Sequence, residues 1–271
     1  MSIRAFTPTD ALPPRPGAVI ELDDEESRYL TRVRRARIGE LIELFDGRGG
    51  AWTATLRRVE RRAQVEVGPA LMVHEPADRV VLLGLPDQAA TLEALTGASE
   101  LGATQVVLVA CERSQGRVPS AARIERTLRA AQRQCGRPRP PTLLGAPPEV
   151  PLGLGSALDH RSDLPGAFAW EALRDISPPP PTPADSMPEL GPELSPELDP
   201  ELGSKLADPG WRLLVGPEGG LTAAEAEAVS AAGFRAVGLG PWVLRTPTAV
   251  IAMLARFQTS AAWPREHLRE G

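Results

Sequence analysis

Apolar and polar residues alternate with a period near two through much of the first 70 positions. Ala18-Val-Ile-Glu-Leu-Asp, Leu41-Ile-Glu-Leu-Phe, Ala51-Trp-Thr-Ala-Thr-Leu and Gln64-Val-Glu-Val each read as a short strand. Asp46-Gly47 and Gly49-Gly50 mark a tight turn between the second and third. Short strands joined this way predict a small β-barrel over residues 1–72. Glu25 to Arg37 reads as a helix between the first two strands. The pattern changes from residue 78. Val80-Val-Leu-Leu-Gly-Leu, Gln105-Val-Val-Leu-Val-Ala, Ala167-Phe-Ala-Trp, Trp211-Arg-Leu-Leu-Val and Phe234-Arg-Ala-Val-Gly-Leu are strand-like runs. Helices are predicted over Thr91–Leu101, from Ser120 towards Cys135, from Ala223, and from about Thr246 to Ala262. Strands alternating with helices predict an α/β domain with a mostly parallel sheet over residues 78–271.

One segment breaks that order. Pro178–Pro181 is a proline run, and Pro-Glu-Leu then repeats at 188, 192, 196 and 200. A proline at every fourth residue removes amide donors and clashes with the preceding turn, so no stable helix forms. Residues 176–208 are therefore expected to be an extended, acidic, disordered insertion. They also change the reading of charge. The chain carries −5 and this segment carries −6, which leaves +1 for the remainder. Lys205 is the sole lysine, and the other 29 basic residues are arginines, which suit bidentate phosphate contacts. Arg28, Arg32, Arg34, Arg35 and Arg37 crowd into ten residues. Phosphate binding is one reading of that cluster, and a solvated helix face is the other.

Other function classes find little support. No apolar run approaches the roughly 18 residues that span a bilayer, and MSIRAFTPTDALPP lacks the apolar stretch of a signal peptide. A cytoplasmic protein is expected. Cys111 and Cys135 alone do not complete a four-ligand zinc site, and both are expected to stay reduced. His74, His160 and His267 lack metal-ligand spacing, and no Gly-x-Ser-x-Gly elbow is present.

Two constellations carry the chemistry. Leu213 to Glu225 reads as strand, Gly216-Pro217-Glu218-Gly219-Gly220 turn, then helix, with Thr222 and Glu225 spaced as a capping box. Glycines let a backbone approach a ligand closely, and strand carboxyl ends are where open α/β sheets bind ligands. The turn is neither Gly-x-Gly-x-x-Gly nor a phosphate loop, which argues against dinucleotide or triphosphate binding. Gly238-Leu-Gly-Pro-Trp-Val-Leu-Arg-Thr-Pro-Thr248 is the second, again a strand end entering a helix. Thr246 is the expected N-cap and Pro247 the first helical residue. Arg245 then stands just before a helix N-terminus.

Together these loops resemble the SPOUT class of methyltransferases, and more closely the bacterial 16S rRNA uridine-N3 methyltransferase family, the RsmE type. Ser99-Glu-Leu-Gly102, Glu112-Arg-Ser114, Gln134-Cys-Gly-Arg137, Tyr29-Leu-Thr-Arg-Val-Arg-Arg35 and Leu44-Phe-Asp-Gly47 add to the resemblance. It implies an N-terminal PUA-like β-barrel that helps bind RNA, through Arg28, Arg32, Arg34 and Arg35, and a C-terminal α/β domain with a trefoil knot. It implies S-adenosylmethionine as cofactor, held by Leu214, Val215, Gly216, Glu218, Gly219, Gly220, Leu239, Gly240, Trp242, Val243, Leu244 and Thr246. It further implies a homodimer acting on 16S rRNA or the 30S subunit, with no metal and no membrane. Uridine N3 must lose its proton to become a nucleophile, and a cation near the uracil oxygens stabilises that anion. Arg245 and Arg137 are the candidates for this role. The chain departs from the family in four places. Leu85 to Glu93 has no base where the family has lysines. Gly97 replaces another lysine, Trp242 an arginine, and Pro247 a glutamate. A non-catalytic RNA- or ligand-binding relative, or a SPOUT enzyme with another RNA target, therefore remains as an alternative.

Overall fold

The computed structural model describes residues 2–8, 13–73, 76–170 and 210–257. The insertion expected at 176–208 and the expected helical residues 258–262 lie outside these. The strands β1 (Arg4–Phe6) and β2 (Val19–Glu21) precede a short helix, α1 (Asp24–Arg28), and a π-helical turn at Tyr29–Val33. Then come β3 (Leu41–Phe45), β4 (Ala51–Val59), β5 (Ala63–Ala70), β6 (Arg79–Gly84), α2 (Gln88–Glu100), β7 (Gln105–Ala110) and α3 (Ala121–Cys135). After them lie β8 (Thr142–Leu144), β9 (Leu152–Gly153), α4 (Leu154–Asp159) and β10 (Gly166–Ala169). The described chain closes with β11 (Trp211–Val215), α5 (Ala223–Ala231), β12 (Phe234–Val237) and α6 (Thr246–Arg256). Its contacts divide it into two compact units, residues 1–75 with 122–141, and residues 76–121 with 142–271.

The first unit is a five-stranded sheet in the order β1-β3-β4-β5-β2. β1 runs parallel to β3, and the remaining pairs are antiparallel. No pairing joins β1 to β2 among the described residues, so the sheet is a curled half-barrel. Its turn forms as the Asp46-Gly signal predicts. Asp46 Oδ1 accepts the amides of Arg48 and Gly50, each at 2.8 Å. Alternating inward residues, among them Ile42, Leu44, Leu56, Val65 and Val67, fill the core with Leu22 and Leu30. The helix expected over 25–37 is shorter. Asp23 caps α1, accepting from the Glu26 amide at 2.8 Å. The π-helical turn follows, and Arg35 takes a left-handed φ of 53°, which ends the helical path.

The segment 122–141 packs into this unit although it stands between two strands of the other. Arg133 on α3 pairs with the fully buried Glu26. The Arg133 guanidinium also lies 4.5 Å from the Tyr29 ring centroid and 5.3 Å from that of Phe6. Arg4 donates to the Arg133 carbonyl at 2.8 Å and pairs with Glu43 at 2.7 Å.

The second unit is built on a parallel sheet in the order β12-β10-β11-β6-β7-β8, with β9 also pairing with β7. β6 is buried at all six positions, as a central parallel strand covered on both faces must be. Parallel pairing gathers the carboxyl ends of the strands at one edge, which places every following loop there. α2 starts earlier than predicted because the Asp87 side chain caps it, accepting from the Ala90 amide at 2.8 Å. α2 also packs closely on α6. A Cβ at Gly97 would lie 2.7 Å from Ile251 Cγ1, so Ile251 fills the space beside the glycine.

Candidate functional site

The first loop begins where β11 ends. Gly220 closes the turn, donating to the Pro217 carbonyl at 2.8 Å from a left-handed φ of 69°. The predicted capping box is present. The Thr222 hydroxyl accepts from the Glu225 amide at 3.3 Å, and Glu225 Oε2 accepts from the Thr222 amide at 2.9 Å. The end of β6 lies against this loop. A Cβ at Gly84 would approach the Pro217 ring within 2.7 Å and the Pro217 nitrogen within 2.8 Å, so only glycine fits there.

The second loop follows β12 and enters α6. The expected N-cap is corrected here, because Arg245 is the cap residue, with extended backbone and no side-chain cap bond. Thr246 lies inside the helix. Its hydroxyl donates instead to the Gly216 carbonyl at 3.2 Å, tying the start of α6 to the first loop. Pro247 follows in the first turn of α6, where a missing amide leaves no helical bond unmade.

The two loops converge on one cleft. It is lined by Val215, Gly216, Pro217, Glu218, Gly220 and Leu221 from the first loop and its flanks, and by Leu239, Gly240, Trp242, Val243, Leu244, Thr246 and Ala249 from the second. Ala169 and Trp170, at the carboxyl end of β10, complete it. Ten of the twelve residues singled out in sequence for the cofactor line this cleft. Leu214 does not, being buried within β11, and Gly219 packs instead against the Arg113 side chain. The cofactor residues expected from sequence did not include Ala169, Trp170, Leu221 or Ala249, nor Pro217, although Pro217 stands within the turn read as binding. Trp170 had a signal, since it ends the predicted strand Ala167-Phe-Ala-Trp at the binding edge. Ala249 had none, because its place depends on how α6 docks.

The chemistry of the lining is distinctive. Among the described residues Glu218 is its sole charged side chain, and no arginine, lysine or histidine lines it. Apolar side chains and two indoles form most of the remainder, and Trp242 is 79% exposed. Such a cleft suits a flat, partly apolar ligand without excess negative charge. It is poorly suited to a polyphosphate, which calls for cations or a nest of amides.

Other candidates lie apart from the lining. Arg245 is exposed and stands between the lining residues Leu244 and Thr246. Arg137 is half-buried and belongs to the first unit, so the contacts do not bring the two arginines together in one unit. In the first unit Arg28, Arg32 and Arg35 are exposed and Arg34 is half-buried. Arg28 Nε donates to the Asp24 carbonyl at 3.0 Å. Cys111 is buried, and burial pushes its thiol up to about 12, with the Glu225 charge adding to the shift and the Ser114 hydrogen bond opposing it. Among the described residues no group of histidine, cysteine and acidic side chains is arranged to hold a metal, and no helix is long and apolar enough to cross a membrane.

Known proteins resemble this chain over most of its length. The family model described as an RNA methyltransferase domain matches residues 74–149 and 197–258, just over half of the chain. A second, described as an RNA methyltransferase PUA domain, matches residues 22–67. No curated protein sequence matches. Among solved structures, ribosomal RNA small subunit methyltransferase E of Neisseria gonorrhoeae, bound to S-adenosyl methionine, is 27% identical with a TM-score of 0.71, over 95% of this chain and 97% of that one. A Legionella pneumophila protein described as a methyltransferase, in complex with SAM, is 25% identical with a TM-score of 0.70, over 95% and 97% of the two chains. A Porphyromonas gingivalis protein at 24% identity and TM-score 0.69, covering 94% and 96%, shares the fold. The chain belongs to the RNA methyltransferase family.

Proposed function

We propose that the cleft binds S-adenosylmethionine and that the protein methylates N3 of a uridine in 16S ribosomal RNA, acting on the rRNA or the 30S subunit as a homodimer. The observation that carries the donor assignment is the convergence of both glycine-bearing loops on a cleft in which Glu218 is the one charged side chain among the described residues. The apolar lining and indoles suit an adenine ring, and the glycines leave backbone groups accessible to its polar edge. Glu218 offers a counter-charge to a cationic ligand. Two structural relatives bound to this donor support the same reading.

When bound, the donor supplies a methyl group on an electrophilic sulfonium. The chain's own part is to hold the acceptor in line and to favour the deprotonated uracil ring. Arg245 is the proposed source of positive charge, because it directly precedes the lining residue Thr246 at the start of α6. Arg137 is the second candidate, supplied by the segment that packs into the first unit. The exposed arginines Arg28, Arg32 and Arg35, with Arg34, are proposed to hold RNA phosphates, with residues 1–72 as the RNA-binding domain and 78–271 as the transferase domain. A trefoil knot in that second domain belongs to the same proposal, and the resemblance of its loops to the SPOUT class supports it.

The test is incubation with labelled S-adenosylmethionine and 30S subunits or 16S rRNA, followed by nucleoside mapping. N3-methyluridine is the expected product, and Arg245→Ala is expected to abolish it while donor binding persists. Another methylated nucleoside would move the assignment to a different RNA target. Donor binding without transfer would favour a non-catalytic relative, a reading that the lack of cations among the described lining residues supports.

A further inference from the structure

The loop after β7 contains Glu112-Arg-Ser114, and nothing in the cleft lining accounts for it. The structure gives it a place. Glu225 sends one carboxylate oxygen to the Thr222 amide, within its own capping box. The other, Oε1, accepts from the Glu112 amide at 2.8 Å, across 113 residues of sequence. Arg113 returns the connection, its guanidinium donating to the Gly219 carbonyl at 2.9 Å. Gly219 lies flat against that arginine, since a Cβ there would be 3.0 Å from Arg113 Cβ. The loop after β7 is itself braced, with the Cys111 amide donating to the Ser114 hydroxyl at 3.2 Å and the Ser114 amide donating to the Cys111 carbonyl at 3.0 Å.

We infer that Glu225 and Arg113 are positioning residues that clamp the Gly216–Gly220 loop to the loop after β7 and so set the shape of the donor cleft. An ordinary capping box needs one carboxylate oxygen on the N-cap amide. The second oxygen of Glu225 is therefore free to reach another segment, and it does. The glycine loop has its own Pro217–Gly220 turn, but the glycines that admit a ligand also leave its backbone loosely specified. The clamp fixes its carboxyl-terminal side, at Gly219 through Arg113 and at Thr222 just beyond it through Glu225, while Thr246 holds its start at Gly216. Neither clamp residue lines the cleft, so both act through the loop that does.

This inference rests on the cleft being the donor site. Its test is calorimetric titration of the full-length protein with S-adenosylmethionine, with the melting temperature of each variant measured alongside. Glu225→Ala is expected to raise Kd about tenfold, the usual scale for losing hydrogen bonds to a charged group. Arg113→Ala is expected to raise it several-fold, and because Arg113 is exposed this variant keeps its fold. Glu225→Gln is expected to fall between wild type and Glu225→Ala, since one amide oxygen replaces two acceptors. Thr222→Ala removes the side-chain cap but leaves both Glu225 bonds to backbone amides. It is expected to lower the melting temperature while Kd stays within about twofold of wild type. In steady-state assays the loss is expected in KM for the donor, with KM for RNA and kcat at saturating donor held. Wild-type Kd in Arg113→Ala and Glu225→Ala would overturn the inference, as would a Thr222→Ala defect equal to that of Glu225→Ala. Absence of donor binding by the wild-type protein would instead overturn the donor-site reading on which it rests.

Discussion

Cys111 and Cys135 look alike in sequence and differ in everything the fold adds. Cys111 stands just beyond β7 in a buried site, where desolvation and the nearby Glu225 charge hold its proton up to about 12. Cys135 is exposed at the end of α3. The thiolate is the reactive form, so the folded protein at pH 8 is expected to be alkylated by iodoacetamide at Cys135 and spared at Cys111. Both are expected to react in denaturant. Equal rates at the two sites in the native protein would contradict the burial. The sign of the pH effect follows. The unfolded thiol ionises near 9.0 and the folded one near 12, so the native state binds the proton more tightly. The contribution of Cys111 to stability is therefore complete below about pH 9 and is lost as pH rises towards 12. Thr246 makes a related point. Its sequence context reads as an N-cap, yet its hydroxyl serves Gly216 across 30 residues, a partner that no local pattern reveals. Trp242 is 79% exposed at the cleft, where the family resemblance places an arginine, so the substitution leaves a large apolar surface in place of a charge.

Glycine positions separate elements that need close approach from those that do not. Gly84 ends β6 against the Gly216-Pro217 backbone, and an added Cβ would meet main-chain atoms that cannot rotate away. Gly84→Ala is expected to cost about 1–3 kcal/mol, the range for overpacking, and also to weaken donor binding by displacing the loop. Gly155 in α4 has open space where an alanine methyl would stand, with nothing within 4 Å. Gly155→Ala is therefore expected to be neutral or stabilising by up to about 1 kcal/mol. Thermal melts of the two variants, with a donor titration of the first, check the contrast. Comparable stability in both would refute the packing account. The same local physics decided what the sequence could reveal. Both loops were legible because strand ends, glycines and a Thr-x-x-Glu box are short-range signals, and they meet at one cleft. β1, β8 and β9 were not, because each has two or three residues and no longer alternating run such as the Ala18–Asp23 stretch that marks β2. The helix expected over 25–37 was misjudged because its charged pattern contains no marker for a π-helical turn.

The least legible feature spans the chain. The alternating pattern gives way to strand-and-helix sequence between residues 72 and 78, but nothing local shows that 122–141 packs with residues 1–75. The reason is an ion pair between Glu26 and Arg133, separated by 107 residues, which pattern analysis of either segment treats as surface charge. Glu26 is fully buried, and desolvation pushes its carboxyl up, while Arg133 and the Phe6 amide at 3.1 Å oppose that shift. Removing one partner of a buried pair costs about 3–5 kcal/mol, because the other charge is left without compensation. A fragment of residues 1–75 would lose Arg133, both of its cation–π contacts and the carbonyl that receives Arg4. A small domain has little stability in reserve against such a loss. The fragment is therefore expected to show no cooperative melt at neutral pH. Its residual structure should be strongest at low pH, because the raised carboxyl makes folding favourable below the ordinary value of 4.5 and costly as pH rises. A synthetic peptide of residues 121–141 added in trans is expected to restore cooperative unfolding, and the same peptide with Arg133→Ala to fail. A fragment of 1–75 that melts cooperatively at neutral pH without the peptide would mean that the sheet is self-sufficient and that α3 only rests against it.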